Sequence, residues 1–160
     1  MNDGLSMIRS MFKMNGQWFE RATQGIPLDK WKARPGADLN PLVWIVGHVT
    51  VSRASALKTL GGEWSAPWAQ MFARGAKMLE PEEYPAPEEV QRAWREVSEK
   101  LTAALPVASP ELLAKETPKG SPSLDGTVGG LLNFLCLHET YHMGQLGYVR
   151  KSLGYGQTLG

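Results

Sequence analysis

Three histidines are the residues of this sequence whose type and spacing best suit metal chemistry. The chain has 160 residues and contains no histidine besides His48, His138 and His142. His138 and His142 are four residues apart, so on a helix their imidazoles project from one face, one turn apart. Both can reach a single ion at metal–nitrogen distances of about 2.0–2.1 Å. A protein-held site needs a third ligand, which His48 can supply.

Each histidine falls where a helix facing a protein core carries apolar side chains. His48 follows Trp44 and Ile45 and precedes Val51 in a second helical stretch. Around the other two, spacings of four and three define one stripe: Leu131, Leu135, His138, His142, Gln145 and Val149. We therefore predict one three-nitrogen metal site formed by two helices. The alternative is that each histidine is a core residue hydrogen-bonded to a backbone carbonyl.

The segment His138–His142 also satisfies the HExxH pattern of zinc peptidases, in which the glutamate is the general base. Such enzymes usually take their third ligand downstream, yet residues 143–160 contain no Asp, Glu or His. A peptidase is therefore disfavoured. Glu139 remains a candidate catalytic base acting on a metal-bound water, and the alternative is a glutamate that faces solvent or takes part in packing.

Gln145 is a second candidate catalytic residue, because it follows His142 by three positions on the same stripe. It can orient a ligand, hydrogen-bond the second nitrogen of a histidine, or satisfy a buried backbone group. Tyr141 is expected to pack with its hydroxyl at the surface, or to line the pocket. Cys136 lies about 200° round the helix from His138, so we expect it to pack as a small apolar group. Gly47 would let a neighbouring backbone or a ligand approach closely, and the alternative is a simple packing role.

Four amphipathic helices are predicted to position these residues. The first is capped by Asn2 or Asp3 and stops at Gly25, and the second begins at Asn40–Pro41 and stops at Gly61–Gly62. The third begins at Pro87 and ends before Pro106. The fourth runs from an Asp125 cap to Gly154. Trp31 should anchor the first loop, and a short helical piece is expected over residues 68–78. With no alternating strand pattern, this predicts an all-α four-helix bundle with long loops between helices 2 and 3 and between helices 3 and 4.

Composition limits the class of protein. A chain of 160 residues suits one domain, here residues 1–160. The formal net charge of +1, from 17 basic and 16 acidic residues, provides no electrostatic footprint for nucleic acid. No apolar run approaches the roughly 20 residues that cross a bilayer, and we expect no membrane partner. One cysteine excludes an internal disulfide and, with no secretory signal at the N-terminus, predicts a cytoplasmic protein.

The sequence resembles the DinB/YfiT-like superfamily over essentially its whole length. The resemblance rests on the loop IPLDKWKARPG, the VGH ending at His48, and the C-terminal HETYHMGQLGYVRKSLGY. Met143 stands where many members have a basic residue, a difference that we expect to alter the pocket rim and to leave the ligand set complete. Membership implies a four-helix bundle with three histidines around a divalent metal, and it implies no DNA binding.

The resemblance also implies a class of reaction, because characterised members include thiol-dependent S-transferases and an isomerase. These use a low-molecular-weight thiol, such as bacillithiol or mycothiol, as cosubstrate. Three neutral imidazoles leave the ion its full charge and an open position. A thiol entering there would be bound as thiolate, whereas a water would have its pKa lowered towards ~7. We therefore expect a thiol S-transferase acting on small electrophiles. The alternatives are a metal-dependent hydrolase and a non-catalytic metal-binding or stress-response bundle.

Further expectations concern the metal, its pH dependence and assembly. Zinc, nickel, iron and manganese all accept imidazole, so the ligand set does not choose among them. Because histidine has an ordinary pKa near 6.5, protons should displace the metal as the pH falls through roughly 6 to 5. Large apolar residues on three helices predict a homodimer, and the alternative is that the long loops cover them: Met7, Met11, Met14, Trp18, Trp44 and Trp94.

Overall fold

Four long helices form the protein in the computed structural model, which describes residues 4–157. A helix of four residues precedes the last one. The described residues contain no strand, and one isolated bridge joins Glu116 to Thr127. The all-α bundle is confirmed. The helices are α1 (Gly4–Thr23), α2 (Leu42–Thr59), α3 (Pro87–Ala104), α4 (Pro110–Leu113) and α5 (Val128–Ser152).

The start of α5 differs from the prediction, because Thr127 rather than Asp125 caps the helix. The Thr127 hydroxyl accepts a hydrogen bond from the amide of Gly130 at 3.0 Å. Asp125 accepts from the amide and the hydroxyl of Thr127 at 2.9 and 2.7 Å. The carboxylate therefore fixes the capping residue instead of capping the helix. At the other end Gly154 has a φ of 86°, which confirms it as the left-handed residue that ends the helix.

Other boundaries differ by small amounts. The α2 helix begins at Leu42 with Pro41 at the cap, so Asn40 is not the N-cap, and no side chain caps this end. Over residues 68–78 only a 3-10 turn forms, Ala69–Phe72. The α3 helix begins at Pro87 as predicted. The predicted Asn2 or Asp3 cap lies outside the described residues.

The connection between α2 and α3 belongs to the core of the bundle. In this structure α2 packs against α3 and α5, and α1 packs against α5. Aromatic side chains from the loops fill the space that these helices leave. In the connection between α2 and α3, Phe72 is fully buried and Tyr84 is nearly so, and Trp31 of the loop before α2 is also fully buried. The loop after α2 is consequently held against that helix, where it can contact His48.

The most deeply buried face of α5 is rotated from the predicted stripe. Its members are Leu132, Cys136, Glu139, Met143 and Leu146, all at most 4% exposed. His138 and Gln145, which the predicted stripe includes, are only half-buried. Because α5 contacts α1 as well as α2, the face directed at the bundle centre differs from the face directed at α2. The histidines therefore lie at the edge of the core, where α5 meets α2.

Candidate metal centre

The imidazoles of His48, His138 and His142 converge through their Nε2 atoms. The Nε2 of His138 lies 3.2 Å from that of His48 and 3.1 Å from that of His142. One ligand atom from each residue lies within 4.8 Å of the other two. The structure thus brings together the three histidines that the sequence singled out, from α2 and α5.

The outer ring nitrogens hold the imidazoles in one orientation. The Nδ1 of His48 is 2.7 Å from the carbonyl oxygen of Phe72, and the Nδ1 of His142 is 2.7 Å from Oε1 of Gln145. Both oxygens can only accept, so each Nδ1 carries the proton and each Nε2 presents a lone pair. The Nδ1 of His138 lies 3.5 Å from the hydroxyl of Ser52.

This donor set fits a divalent cation. Nitrogens bound tetrahedrally at about 2.0–2.1 Å would lie about 3.3 Å apart, close to the two distances observed here. Without a cation, the lone pairs of the three converging Nε2 atoms would face each other. The hydrogen bonds at Nδ1 of His48 and His142 hold the ring protons on the opposite side, so these protons cannot relieve the repulsion. Histidines that bind a metal usually donate the N–H of their other ring nitrogen to a hydrogen-bond acceptor, as His48 and His142 do here. The three histidines can therefore hold a metal ion.

Burial keeps the histidines in the form that binds a metal. It lowers the pKa of His48, His138 and His142, and the pKa of His142 falls to about 4. Charge on neighbouring histidines adds to the lowering for His138 and His142, while the Gln145 hydrogen bond partly opposes it for His142. At neutral pH all three rings are uncharged and available as ligands.

Aromatic rings surround the cluster. Trp44 stacks on His48, with ring centroids 4.8 Å apart and planes at 9°. Phe134 lies parallel to His138 at 6.1 Å, and the ring of Tyr141 meets His142 edge-on at 5.2 Å. These rings restrict the imidazoles and reduce the access of water around them, which strengthens electrostatic interactions at the site.

Gly47 permits the close packing that fixes His48. A Cβ atom at this position would lie 2.5 Å from the ring of Phe72, a separation that packed atoms do not tolerate. Phe72 is fully buried, and its carbonyl oxygen is the partner of His48 Nδ1. The structure supports the packing role for this glycine, because the neighbour that it admits is the Phe72 side chain.

Gln145 contacts the cluster directly and links it to Tyr141. Its Oε1 accepts from His142 Nδ1, and its amide donates to the Tyr141 hydroxyl at 3.1 Å. In this amide orientation Oε1 faces His142, and the proton of the ring is held on Nδ1. Tyr141 is 64% exposed, so it lies at the surface beside His142 and is not packed as the sequence predicts.

Glu139 is placed away from the converging nitrogens. Both of its carboxylate oxygens accept from Arg53, at 2.7 and 2.8 Å, and the residue is fully buried. The carboxylate is therefore engaged in an ion pair and does not contact any of the three histidines. Of the alternatives considered, the structure supports a packing role and excludes a solvent-facing glutamate.

Arg53 was not singled out in the sequence, although a signal existed. It and Lys58 are the only charged residues of α2, and Arg53 is 3% exposed. A cation on an otherwise apolar helix predicts a buried partner. Cys136 lies outside the cluster: it is 1% exposed, and burial raises the pKa of its thiol to about 12. This confirms that it packs as an apolar group.

The chain matches the family model of the DinB superfamily over residues 11–146. The matched segment includes the three histidines, all of α2 and α3, and most of α1 and α5. No curated protein and no solved structure matches the chain. Among the residues that the structure describes, no helix is long and apolar enough to span a membrane.

Proposed function

We propose that this chain, which belongs to the DinB superfamily, is a metal-dependent enzyme that transfers a small thiol to an electrophile. The reaction forms a bond between the thiol sulfur and an electrophilic carbon of the second substrate. The leaving group departs with its electron pair, and the thiol proton passes to solvent. A divalent cation held by the histidines supplies a Lewis acid that favours the ionised, nucleophilic form of a thiol.

The observation that carries the proposal is the orientation of the imidazoles. All three Nε2 atoms converge, while the Nδ1 atoms of His48 and His142 are held by acceptors. No carboxylate in the described residues joins this ligand set. Three neutral ligands leave the cation its full charge and a fourth position for a substrate, as in catalytic rather than structural sites.

The position of Glu139 favours a thiol over water as the nucleophile. A hydrolase of the HExxH type uses the glutamate between its histidines to take a proton from water. Here that carboxylate accepts two hydrogen bonds from Arg53 and is fully buried. A thiol with an ordinary pKa near 8.5 already ionises to a few per cent at neutral pH, so it depends less on a base.

The chain's own residues position the reacting groups. Gln145 fixes the orientation of His142, and the Phe72 carbonyl fixes that of His48. Trp44 forms a flat apolar wall beside the cluster through its stacking on His48. Raising the ionised fraction of a thiol accounts for only one or two powers of ten in rate, so positioning must provide the rest. Gln145 is therefore proposed as a positioning residue.

The first experiment tests the metal site itself. Untagged protein should contain, or take up in titration, one divalent ion per chain. His138→Ala and His142→Ala should abolish stoichiometric binding and retain helical circular dichroism, because the apolar faces of the bundle do not depend on the ion. If the wild-type protein binds zinc, nickel, iron and manganese no better than these variants, the three histidines do not form a metal site.

The second experiment tests the reaction. Cobalt-substituted protein should develop a sulfur-to-metal charge-transfer band when the correct thiol is added, and the same thiol should support conjugation to an electrophile. The panel includes bacillithiol, mycothiol and glutathione, with His142→Ala as the inactive control. If no thiol gives a band or turnover, the transferase proposal fails, and hydrolysis or a non-catalytic metal-binding role takes its place.

A further inference from the structure

A cleft of about 480 Å³ adjoins the histidine cluster on the side of the C-terminal half of α5. We call it the Tyr148 cleft. Apolar side chains of Leu39, Ile45 and Val149 line it, together with the phenol rings of Tyr141 and Tyr148 and the amide of Gln145. Its volume lies within the range of about 300–1,000 Å³ that is typical of small-molecule sites.

The Tyr148 cleft shares two residues with the surroundings of His142. Gln145 forms part of its wall and accepts a hydrogen bond from His142 Nδ1. Tyr141 also lines the cleft, and its ring meets His142 edge-on. A molecule in the cleft would therefore contact the side chains that hold this histidine, on the side of its Nδ1 atom.

Two other cavities lack this connection. One of about 910 Å³ is lined by Lys58 and Lys100 with Glu63 and Glu96, and one of about 500 Å³ lies beside Arg95. Neither is lined by a residue that hydrogen-bonds a histidine of the cluster in the described part of the chain. Of the three, the Tyr148 cleft is the one lined by a residue that hydrogen-bonds a histidine of the cluster.

The lining selects the chemical class of the ligand. Among the described residues that line the cleft, Asp38 is the single charged one, and Asn40 and Gln145 contribute amides. These residues include no lysine, arginine or histidine that could pair with an anion. An acidic group would lose hydration in the cleft without gaining a cation, and would approach a carboxylate. Aromatic and apolar groups, in contrast, can pack on the two tyrosines.

We propose that the Tyr148 cleft binds the non-reacting part of the electrophilic substrate, and that this part is an uncharged aromatic group. The assignment to the electrophile rests on the proposed function. Thiol cosubstrates that carry carboxylates, such as glutathione, find no cation in this lining. The cleft therefore accommodates the second substrate better than the thiol.

Binding of two matched probes tests the ligand class without any reaction. The probes are 2-naphthalenemethanol, which is neutral, and 2-naphthalenesulfonate, an anion of similar shape that binds metals weakly. Isothermal titration of the full-length chain, with and without zinc, should give about tenfold tighter binding of the neutral probe, because the anion is desolvated without a partner. Equal affinities, or no binding of the neutral probe, would overturn the proposal.

Leu39→Lys is the decisive variant, because Leu39 is 47% exposed and can be replaced without opening the core. A cation at this position should weaken binding of naphthalenemethanol and strengthen binding of naphthalenesulfonate. The matched control is Leu124→Lys, at a leucine that is 64% exposed and does not line the cleft; it should change neither affinity. Identical behaviour of the two variants would reject the cleft as the binding site.

The outcome separates this inference from the transferase proposal. Selective probe binding that Leu39→Lys reverses, in a protein inactive with every thiol, would support the cleft's ligand class and reject the transfer reaction. In an active protein, Leu39→Lys should raise KM for a neutral aromatic electrophile and leave the cobalt–thiol band unchanged. An unchanged KM in an active protein would reject the Tyr148 cleft as the binding site of the electrophile and would leave the transferase function standing.

Discussion

Arg53 and Glu139 form a bidentate ion pair between the two helices that carry the histidines. Glu139 is the next residue after His138 on α5, and Arg53 is five residues after His48 on α2. The guanidinium also donates to the carbonyl of Phe12 on α1 at 3.0 Å and lies 4.0 Å from the Trp94 ring of α3. The side chain of Arg53 therefore links its own helix, α2, to the three other long helices. It fixes α2 relative to α5, and so fixes the separation of the histidines.

Replacing Glu139 should destabilise the protein by removing one partner of this buried pair. We expect Glu139→Gln to lower the free energy of unfolding by about 3 kcal/mol, because it leaves the Arg53 charge buried without a counter-ion. Urea denaturation of the metal-free protein measures the change. The double variant Arg53→Met with Glu139→Leu, which removes both charges, should recover most of the loss.

The matched control is the surface pair between Glu20 and Arg95, whose side chains are more than half exposed. Glu20→Gln should change the unfolding free energy by less than about 1 kcal/mol, since water already screens this pair. If Glu139→Gln has an effect as small as the control, the buried pair does not contribute to stability as the structure indicates.

Gly47→Ala should weaken both the fold and the metal site. The added methyl group overlaps the Phe72 ring, and overpacking of this kind costs about 1–3 kcal/mol. Moving Phe72 also moves the carbonyl that orients His48, so zinc affinity measured by chelator competition should fall. Gly144→Ala is the control: a Cβ there meets no atom within 4 Å, and alanine is the better helix former. A Gly47→Ala protein that matches Gly144→Ala in melting temperature and zinc affinity would show that Phe72 is not held as described.

The stability of the metal-free protein should fall as the pH is lowered from about 6.5 to about 4. The pKa of His142 is about 4 in the folded chain and 6.5 when unperturbed. Between these values the unfolded state binds a proton that the folded state does not, so stability is full above 6.5 and is lost on acidification. The difference corresponds to about 3 kcal/mol for this residue.

Urea unfolding at pH 7, 5.5 and 4 measures this effect, and His142→Ala should show a smaller dependence. The lowered pKa values also change the expectation for metal release, because ordinary histidines predict release between pH 6 and 5. With buried histidines, protons compete less well, and release should begin at lower pH. A wild-type stability that stays constant from pH 7 to 4 would contradict the burial of His142.

The three histidines could be predicted as ligands from residue type and from spacing along a helix, without knowledge of the fold. A spacing of four on a helix places His138 and His142 on one face whatever surrounds them. His48 followed from the count of histidines and from its position among apolar residues. Phe72, in contrast, lies in the connection between α2 and α3, where apolar residues follow no regular spacing that would predict its contact with His48. Its carbonyl oxygen is a backbone atom, so no residue type marks it in the sequence.

The Arg53–Glu139 pair was missed for a different physical reason. The HExxH pattern suggests Glu139 as a base near a metal, and the stripe of α5 predicts which residues face the core without showing how many helices pack there. Because α5 packs against both α1 and α2, Glu139 lies on the buried face and the histidines lie at its edge. The capping residue of α5 was placed two positions early, since the Asp125 carboxylate and the Thr127 hydroxyl both suit that role.

Assembly as a homodimer stays a prediction. Met7 on α1 is 69% exposed and Leu137 on α5 is 57% exposed, which leaves apolar surface for a second copy. Trp94 does not contribute to that surface, because it is 2% exposed and stacks on Phe19 at 4.3 Å. Sedimentation at micromolar concentration should give twice the chain mass of 17.6 kDa. A 17.6 kDa species alone would reject the dimer.

Gln145 should control metal affinity through His142 rather than by binding the ion. Its Oε1 holds the proton on His142 Nδ1, and partners of this kind typically change metal affinity by about 10–100-fold when removed. We expect Gln145→Ala to lower zinc affinity within that range and to leave the stoichiometry at one. Tyr141→Phe removes only the hydroxyl that accepts from the Gln145 amide, so its effect should be smaller. Chelator competition at pH 7 measures both variants. If both variants lose the same zinc affinity, the Tyr141 hydroxyl rather than the Gln145 amide determines how His142 is held. If Gln145→Ala no longer binds zinc stoichiometrically, Gln145 is itself a ligand.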